Sequence, residues 1–253
     1  MQVAQDARSS ASDLAIVVSA DPGLSARILR MANSVVYRRG RAVTSVQDAL
    51  VRLGFVLARN VAVSGAIAGA YAPAGGNELF RIEAFWRHSI AVAFRASELA
   101  GKSRRIDVPT AFTAGILHNM GRLAMFYADA AGVESAVAQA LATSTDLEAI
   151  ELVVPGYDHA EVGGILAERW QLPDDVIEAI RGHHRDHEGE VSVAAVVAQA
   201  DRFCTDRGLL PGYAVPGAAN AQGQPPDDFL RLMKQVEALV QLVVGPHASL
   251  HAA

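Results

Sequence analysis

The chain has 253 residues and a single cysteine, Cys204, so it can form no internal disulfide, which fits a reducing compartment. It has no Lys/Arg run, and its formal net charge is −5. General nucleic-acid binding needs a basic footprint and is not expected, although a small local anion site remains compatible with this charge. The amino terminus, MQVAQDARSS, is polar and lacks the apolar segment of a signal peptide. The longest uncharged run, NVAVSGAIAGAYAPAGGN (residues 60–77), carries Asn, Ser, Pro and several Gly and is interrupted too early to span a bilayer. No segment alternates apolar and polar residues for more than a few positions, which excludes a sheet from the expected fold, and no repeat or low-complexity tract is present. What remains is a soluble, cytoplasmic, all-α chain. Its 51% apolar and 19% charged residues are those of a globular protein, and its length can bury a sizeable core.

Helical periodicity runs almost throughout. Asp21 before Pro22 is a helix start, followed by Leu24, Ile28, Met31, Ala32 and Val35 at helical spacing. Thr44 and Gln47 form a capping box ahead of Val46, Ala49, Leu50 and Leu53. LARNVAVSGAIAGAY reads as a closely packed helix, and the Pro and Gly of YAPAGGNELF mark a boundary. A long helix then ends at Gly101, and Asp107 with Pro109 opens the helix carrying His118. Further helices are expected over 133–152, after the Asp158–Glu161 capping box, after Pro173, over VSVAAVVAQADRFC, and over 227–244 beyond a Pro- and Gly-rich loop. The expected organisation is an N-terminal helical bundle (1–76), a helical core (77–205), and a loop with a C-terminal helix (206–253).

Helix interiors hide apolar residues, so a polar residue on an apolar stripe is informative. His159 shares a stripe with Val162, Gly163, Leu166 and Trp170. His184 follows Ile177 and Ile180, and His183 follows Val176 and Ile180. Asp201 follows Ala194 and Val197, and His88 lies between Phe85 and Val92. His118 lies on the face of Ala111, Ala114 and Gly115, whose small side chains let another element approach closely. Taken singly, each His is ordinarily a core residue satisfied by a backbone carbonyl. Taken together, five imidazoles and a carboxylate suit a divalent ion and could meet at a bundle core.

The blocks FWRHS, AGILHNMGRL, GYDHAEVGGILAERWQLPDDVIEAIRGHH and AAVVAQADR, in this order and spacing, resemble an HDOD domain, the output-domain relative of HD-type metal phosphohydrolases and of cyclic di-GMP phosphodiesterases. DPGLSARILRMANSVVYRRGRAVTSVQDALVRLG is similar to the HDOD opening bundle. The resemblance covers residues 12 to about 205. It implies an N-terminal helical bundle packed on an HD-like core. It also implies that His88, His118, His159, His183, His184 and Asp201 match metal ligands of the catalytic relatives, and that Asn119 occupies the place of their bridging Asp. Asn offers one neutral carbonyl oxygen and cannot bridge two ions well. The chain departs further: HHRDHEGE lacks the Gly-Tyr-Pro signature, and Arg122 stands at the position of an active-site Lys.

The resemblance implies a non-catalytic bacterial signalling module acting through contacts with other signalling proteins. No cofactor is required, though a degenerate site could hold a divalent metal (Fe, Mn, Ni or Zn). Two alternatives stand beside it: a residual metal-dependent phosphohydrolase using the His set and Asp201, and a small-ligand sensor using Arg122 as an anion contact.

Overall fold

The computed structural model describes residues 28–29, 31–33, 40–41, 43–54, 80–170, 172–213 and 227–243. Among these, ten helices and no strand are present: α1 (Val46–Leu53), α2 (Ile82–Ser103), α3 (Val108–Leu117), α4 (Met120–Ala128), α5 (Ala130–Thr143), α6 (Leu147–Val153), α7 (His159–Arg169), α8 (Asp174–Gly182), α9 (Val193–Thr205) and α10 (Asp227–Val243). None is long and apolar enough to cross a membrane. The chain divides into two compact units, Met1–Pro73 with Met233–Ala253, and Ala74–Leu232.

In the first unit, Ile28, Met31 and Ala32 of the expected stripe are fully buried. Asn33 donates to the carbonyl of Val43 and accepts from its N–H, both at 2.8 Å, pinning the chain ahead of α1. The helix start at Asp21–Pro22 and the helix over LARNVAVSGAIAGAY lie outside the described residues. The cap of α1 falls one residue later than expected: Ser45, not Thr44, accepts from the N–H of Asp48. A Ser three residues before an Asp caps as well as Thr before Gln, and the shorter side chain here has the extended backbone a cap needs.

In the second unit, capping chemistry sets most boundaries. Asp107 accepts from the N–H of Thr110 at 2.9 Å, Asp158 from that of Glu161 at 2.7 Å, and Ser192 from that of Ala195 at 3.1 Å. Two boundaries differ from the sequence expectation. α2 passes Gly101 and stops at Arg104, which takes a left-handed backbone with φ 54° and donates its N–H to Ala100. Residues 133–152 are not one helix. α5 stops at Ser144, also left-handed with φ 53°, and α6 restarts behind Asp146. The TSTD segment supplies several small polar residues that favour turns and caps over helix interior, which the apolar periodicity on either side conceals.

The core is built around α2, on which Phe85, Trp86, Ile90 and four alanines are buried. α3 and α9 pack along α2, α8 packs on α3 and α9, and α7 lies between α4 and α8. Two glycines set how closely these helices cross. A Cβ on Gly115 of α3 would lie 2.7 Å from Ala93 Cα of α2. A Cβ on Gly121 of α4 would overlap the carbonyl oxygen of His159 in α7. Only residues without a side chain allow such approach, and both crossings carry histidines of the site.

Candidate metal centre

Every histidine singled out from the sequence lies at or beside one of these crossings. His88 is mid-α2. His118 and Asn119 form the two-residue junction between α3 and α4, so they end one helix and begin the next and do not lie within one helix. His159 opens α7, and His183 and His184 follow the last residue of α8. Asp201 lies on α9. His88, His118, Asn119, His159, His183 and Asp201 are all buried, whereas His184 is exposed, with its side chain 32% accessible. Its apolar-stripe assignment fails because α8 ends at Gly182 and His184, one residue past the C-cap His183, no longer follows the helical register.

The side chains form two groups rather than one. In the first, His88 Nε2 lies 3.3 Å from His118 Nε2 and 3.1 Å from Asp201 Oδ1, and His118 Nε2 lies 3.9 Å from the same oxygen. In the second, His159 Nε2 lies 3.2 Å from His183 Nε2 and 2.9 Å from His184 Nε2. The rings of His118 and His183 are in edge contact, with centroids 5.0 Å apart, and this joins the two groups.

The opposite ring nitrogens fix the tautomers. Nδ1 of His88, His118 and His183 faces the carbonyl oxygens of Leu209 (2.7 Å), Gly115 (2.6 Å) and Ile180 (2.7 Å). A carbonyl can only accept, so each Nδ1 carries a proton, and in the neutral form of the ring Nε2 turns a bare lone pair inward. His159 achieves the same with a carboxylate: Glu151 Oε2 accepts both the His159 backbone N–H (3.0 Å) and Nδ1–H (2.6 Å). Lone pairs facing one another at about 3 Å repel unless a cation lies among them. Metal–nitrogen and metal–oxygen bonds of about 2.1 Å place neighbouring ligands roughly 3.0–3.5 Å apart, and the separations in the two groups, 2.9–3.9 Å, bracket that spacing. His88, His118, His159 and His183 also have the second hydrogen bond that metal-bound imidazole carries. The residues therefore fit a divalent ion in each group, and their donor types suit Zn, Fe or Mn.

Electrostatics agree. Burial holds His118 at about 3, and His159 and His183 well below the usual imidazole range, so these rings are in the neutral, ligand-competent form near neutral pH.

Asn119 breaks the pattern. Its amide nitrogen Nδ2 is 2.8 Å from His118 Nε2. Because His118 Nε2 is the unprotonated nitrogen, the contact is a donation from Asn119, and its Oδ1 is left buried without a partner. Arg122 is 4% exposed, pairs with Glu148 through Nη2 at 3.1 Å, stacks over the Tyr213 ring, and leaves Nε and Nη1 unpartnered.

Two residues of the site escape the sequence pattern. Glu148 Oε1 lies 3.0 Å from His184 Nε2, and Glu151 holds His159. Glu151 had a legible signal: it shares an i, i+3, i+4 face with Leu147 and Ile150, a carboxylate on an apolar stripe. Glu148 lies in an ordinary acidic first turn and had none.

A family model for the HDOD domain matches residues 1–186, and the chain belongs to that family. Among solved structures, it is similar to a protein from Shewanella amazonensis described as a candidate phosphohydrolase (28% identity, TM-score 0.70, covering 96% of this chain and 84% of that one). It is also similar to one from Marinobacter aquaeolei described as a candidate signal transduction protein (25%, 0.73, 96% and 59%). Among curated proteins it is 29% identical to Ribonuclease Y of Acholeplasma laidlawii over 63% of this chain and 23% of that one. The chain spans about a third or less of the length of the curated relatives it matches.

Proposed function

We propose that this HDOD-family chain is a non-hydrolytic signal-transduction module that holds divalent metal in a degenerate HD site and acts through contacts with other signalling proteins. The observation that carries this is the N–H of Asn119 directed at His118 Nε2. Hydrolysis at a two-ion centre relies on the bound ions to lower the pKa of a water between them. A bridging carboxylate holds such ions together and offsets their mutual repulsion; Asn119 brings neither charge nor a second oxygen, and in the present arrangement presents a donor. His118, His88 and Asp201 can still bind one ion, and the second histidine group another, as separate sites. Metal then ties α2, α3, α7, α8 and α9 to one another.

The test is metal analysis of the purified protein together with turnover assays on cyclic di-GMP, bis(p-nitrophenyl) phosphate and a short RNA, in Mn and Fe. The expected result is bound metal with turnover at background, unchanged by His118→Ala. Metal-dependent turnover abolished by His118→Ala overturns the non-hydrolytic reading. It would favour the second reading, a residual phosphohydrolase, which draws support from the retained six-ligand set and from the likeness to Ribonuclease Y and to a candidate phosphohydrolase.

A further inference from the structure

The two histidine groups differ in charge. The first contains Asp201, whereas the second, His159, His183 and His184, contains no carboxylate. An ion in the second group would keep its full positive charge beside the buried guanidinium of Arg122. One carboxylate stands between them: Glu148 Oε1 is 3.0 Å from His184 Nε2 and 3.1 Å from Arg122 Nη2. We propose that Glu148 is a ligand of the ion held by His159, His183 and His184, supplying to this group the negative charge that Asn119 does not.

The proposal rests on the metal-binding reading above and adds a ligand to it. Three observations support it. First, the distance from Glu148 Oε1 to His184 Nε2 matches the 2.9 Å and 3.2 Å separations within the group, so Glu148 stands at the spacing of a neighbouring ligand. Second, α6 delivers two carboxylates from one face, spaced i and i+3. Glu151 orients His159 by accepting its Nδ1–H, and Glu148 reaches the adjoining histidine. The left-handed turn at Ser144 brings this short helix back toward the site, and a continuous helix over 133–152 could not do so. Third, the arrangement assigns one carboxylate to each ion, Asp201 to the first and Glu148 to the second. Two terminal carboxylates thus stand in for one bridging carboxylate. This set holds ions independently, which accords with binding without two-ion hydrolysis. Arg122, held to the same oxygen, keeps Glu148 aimed at the group when no ion is there.

The experiment uses the full chain, stripped with chelator and titrated with Co(II), following heat of binding and the visible absorption of the bound ion. Wild type is expected to take up two ions, with His183→Ala losing the second. Glu148→Gln should weaken the second ion about 100-fold, alter its absorption band, and leave the first ion unchanged. Glu148→Asp, which keeps the charge with a shorter reach, should recover part of the affinity. Glu148 is partly exposed, and melts in chelator verify that its variants fold. Wild-type affinity and spectrum in Glu148→Gln, with the second ion still lost in His183→Ala, would sink the proposal and leave metal binding standing. An absence of bound Co(II) in wild type would sink both.

Discussion

Asn119 donates from Nδ2 to His118 Nε2 at 2.8 Å while His118 Nδ1 donates to the carbonyl of Gly115 at 2.6 Å. His118 is thereby satisfied at both nitrogens without a metal, and Asn119 closes the ligand position that the other histidines leave open. An ion at the first group must displace this hydrogen bond, and the freed amide can rotate its partnerless Oδ1 toward the ion.

Restoring a carboxylate at this position should give effects of opposite sign with and without metal. In chelator, Asn119→Asp buries a charge against the lone pair of His118, which costs about 1–3 kcal/mol, and the variant should melt below wild type. With Mn the carboxylate becomes a ligand and the variant should gain more stability than wild type. Paired thermal melts check this, and equal metal responses would remove Asn119 from the ligand position.

The buried imidazoles set an acid limit on the metal-free protein. His118, His159 and His183 have depressed pKa values in the folded state, so they are neutral when folded and protonated when unfolded below about 6.5. Their linkage is absent above that pH and destabilises the fold progressively as pH falls below about 6.5, for His118 down to about 3. Each ring contributes up to about 1.4 kcal/mol per pH unit. Urea midpoints in chelator at pH 7.5, 6 and 5 should fall steeply over this window. His183→Ala should flatten the slope, and a midpoint independent of pH would contradict the buried neutral state.

Glu151 is a positioning residue whose carboxylate accepts two hydrogen bonds from His159. Glu151→Gln keeps the volume but replaces the charged acceptor, whose Oε2 takes both hydrogen bonds, with a weaker neutral amide oxygen and adds a buried N–H₂ group. Metal affinity at the second histidine group should fall about 10- to 100-fold, with the first group unaffected. Calorimetric titration distinguishes this from a general loss of stability, which would weaken both groups together.

The glycines at the helix crossings should be intolerant of a methyl group. Gly121→Ala would drive its Cβ into the His159 carbonyl, and a loss of about 3 kcal/mol or more, with loss of metal binding, is expected. Gly101→Ala serves as a control: its Cβ would meet only Val108 at 3.9 Å, and a helical Gly-to-Ala change there should add about 0.5–1 kcal/mol. Chemical denaturation of both variants checks the contrast.

The helical class and most helix starts were legible in the sequence because caps and apolar periodicity are local. Asp107, Asp158 and Ser192 need only the N–H three residues on, and Ile28, Met31 and Ala32 are buried on the stripe their spacing defines. Polar residues on apolar stripes also marked His88, His118, His159, His183 and Asp201, because burying an imidazole or carboxylate demands a partner. Tertiary structure alone decided what those partners are. It split the ligands into two groups, since the crossing distances at Gly115 and Gly121 depend on contacts between helices distant in sequence. It turned the Asn119 amide toward His118, because the tautomer of His118 is set by the Gly115 carbonyl. It also brought Glu148 to His184 across 36 residues, a distance no helical periodicity can span.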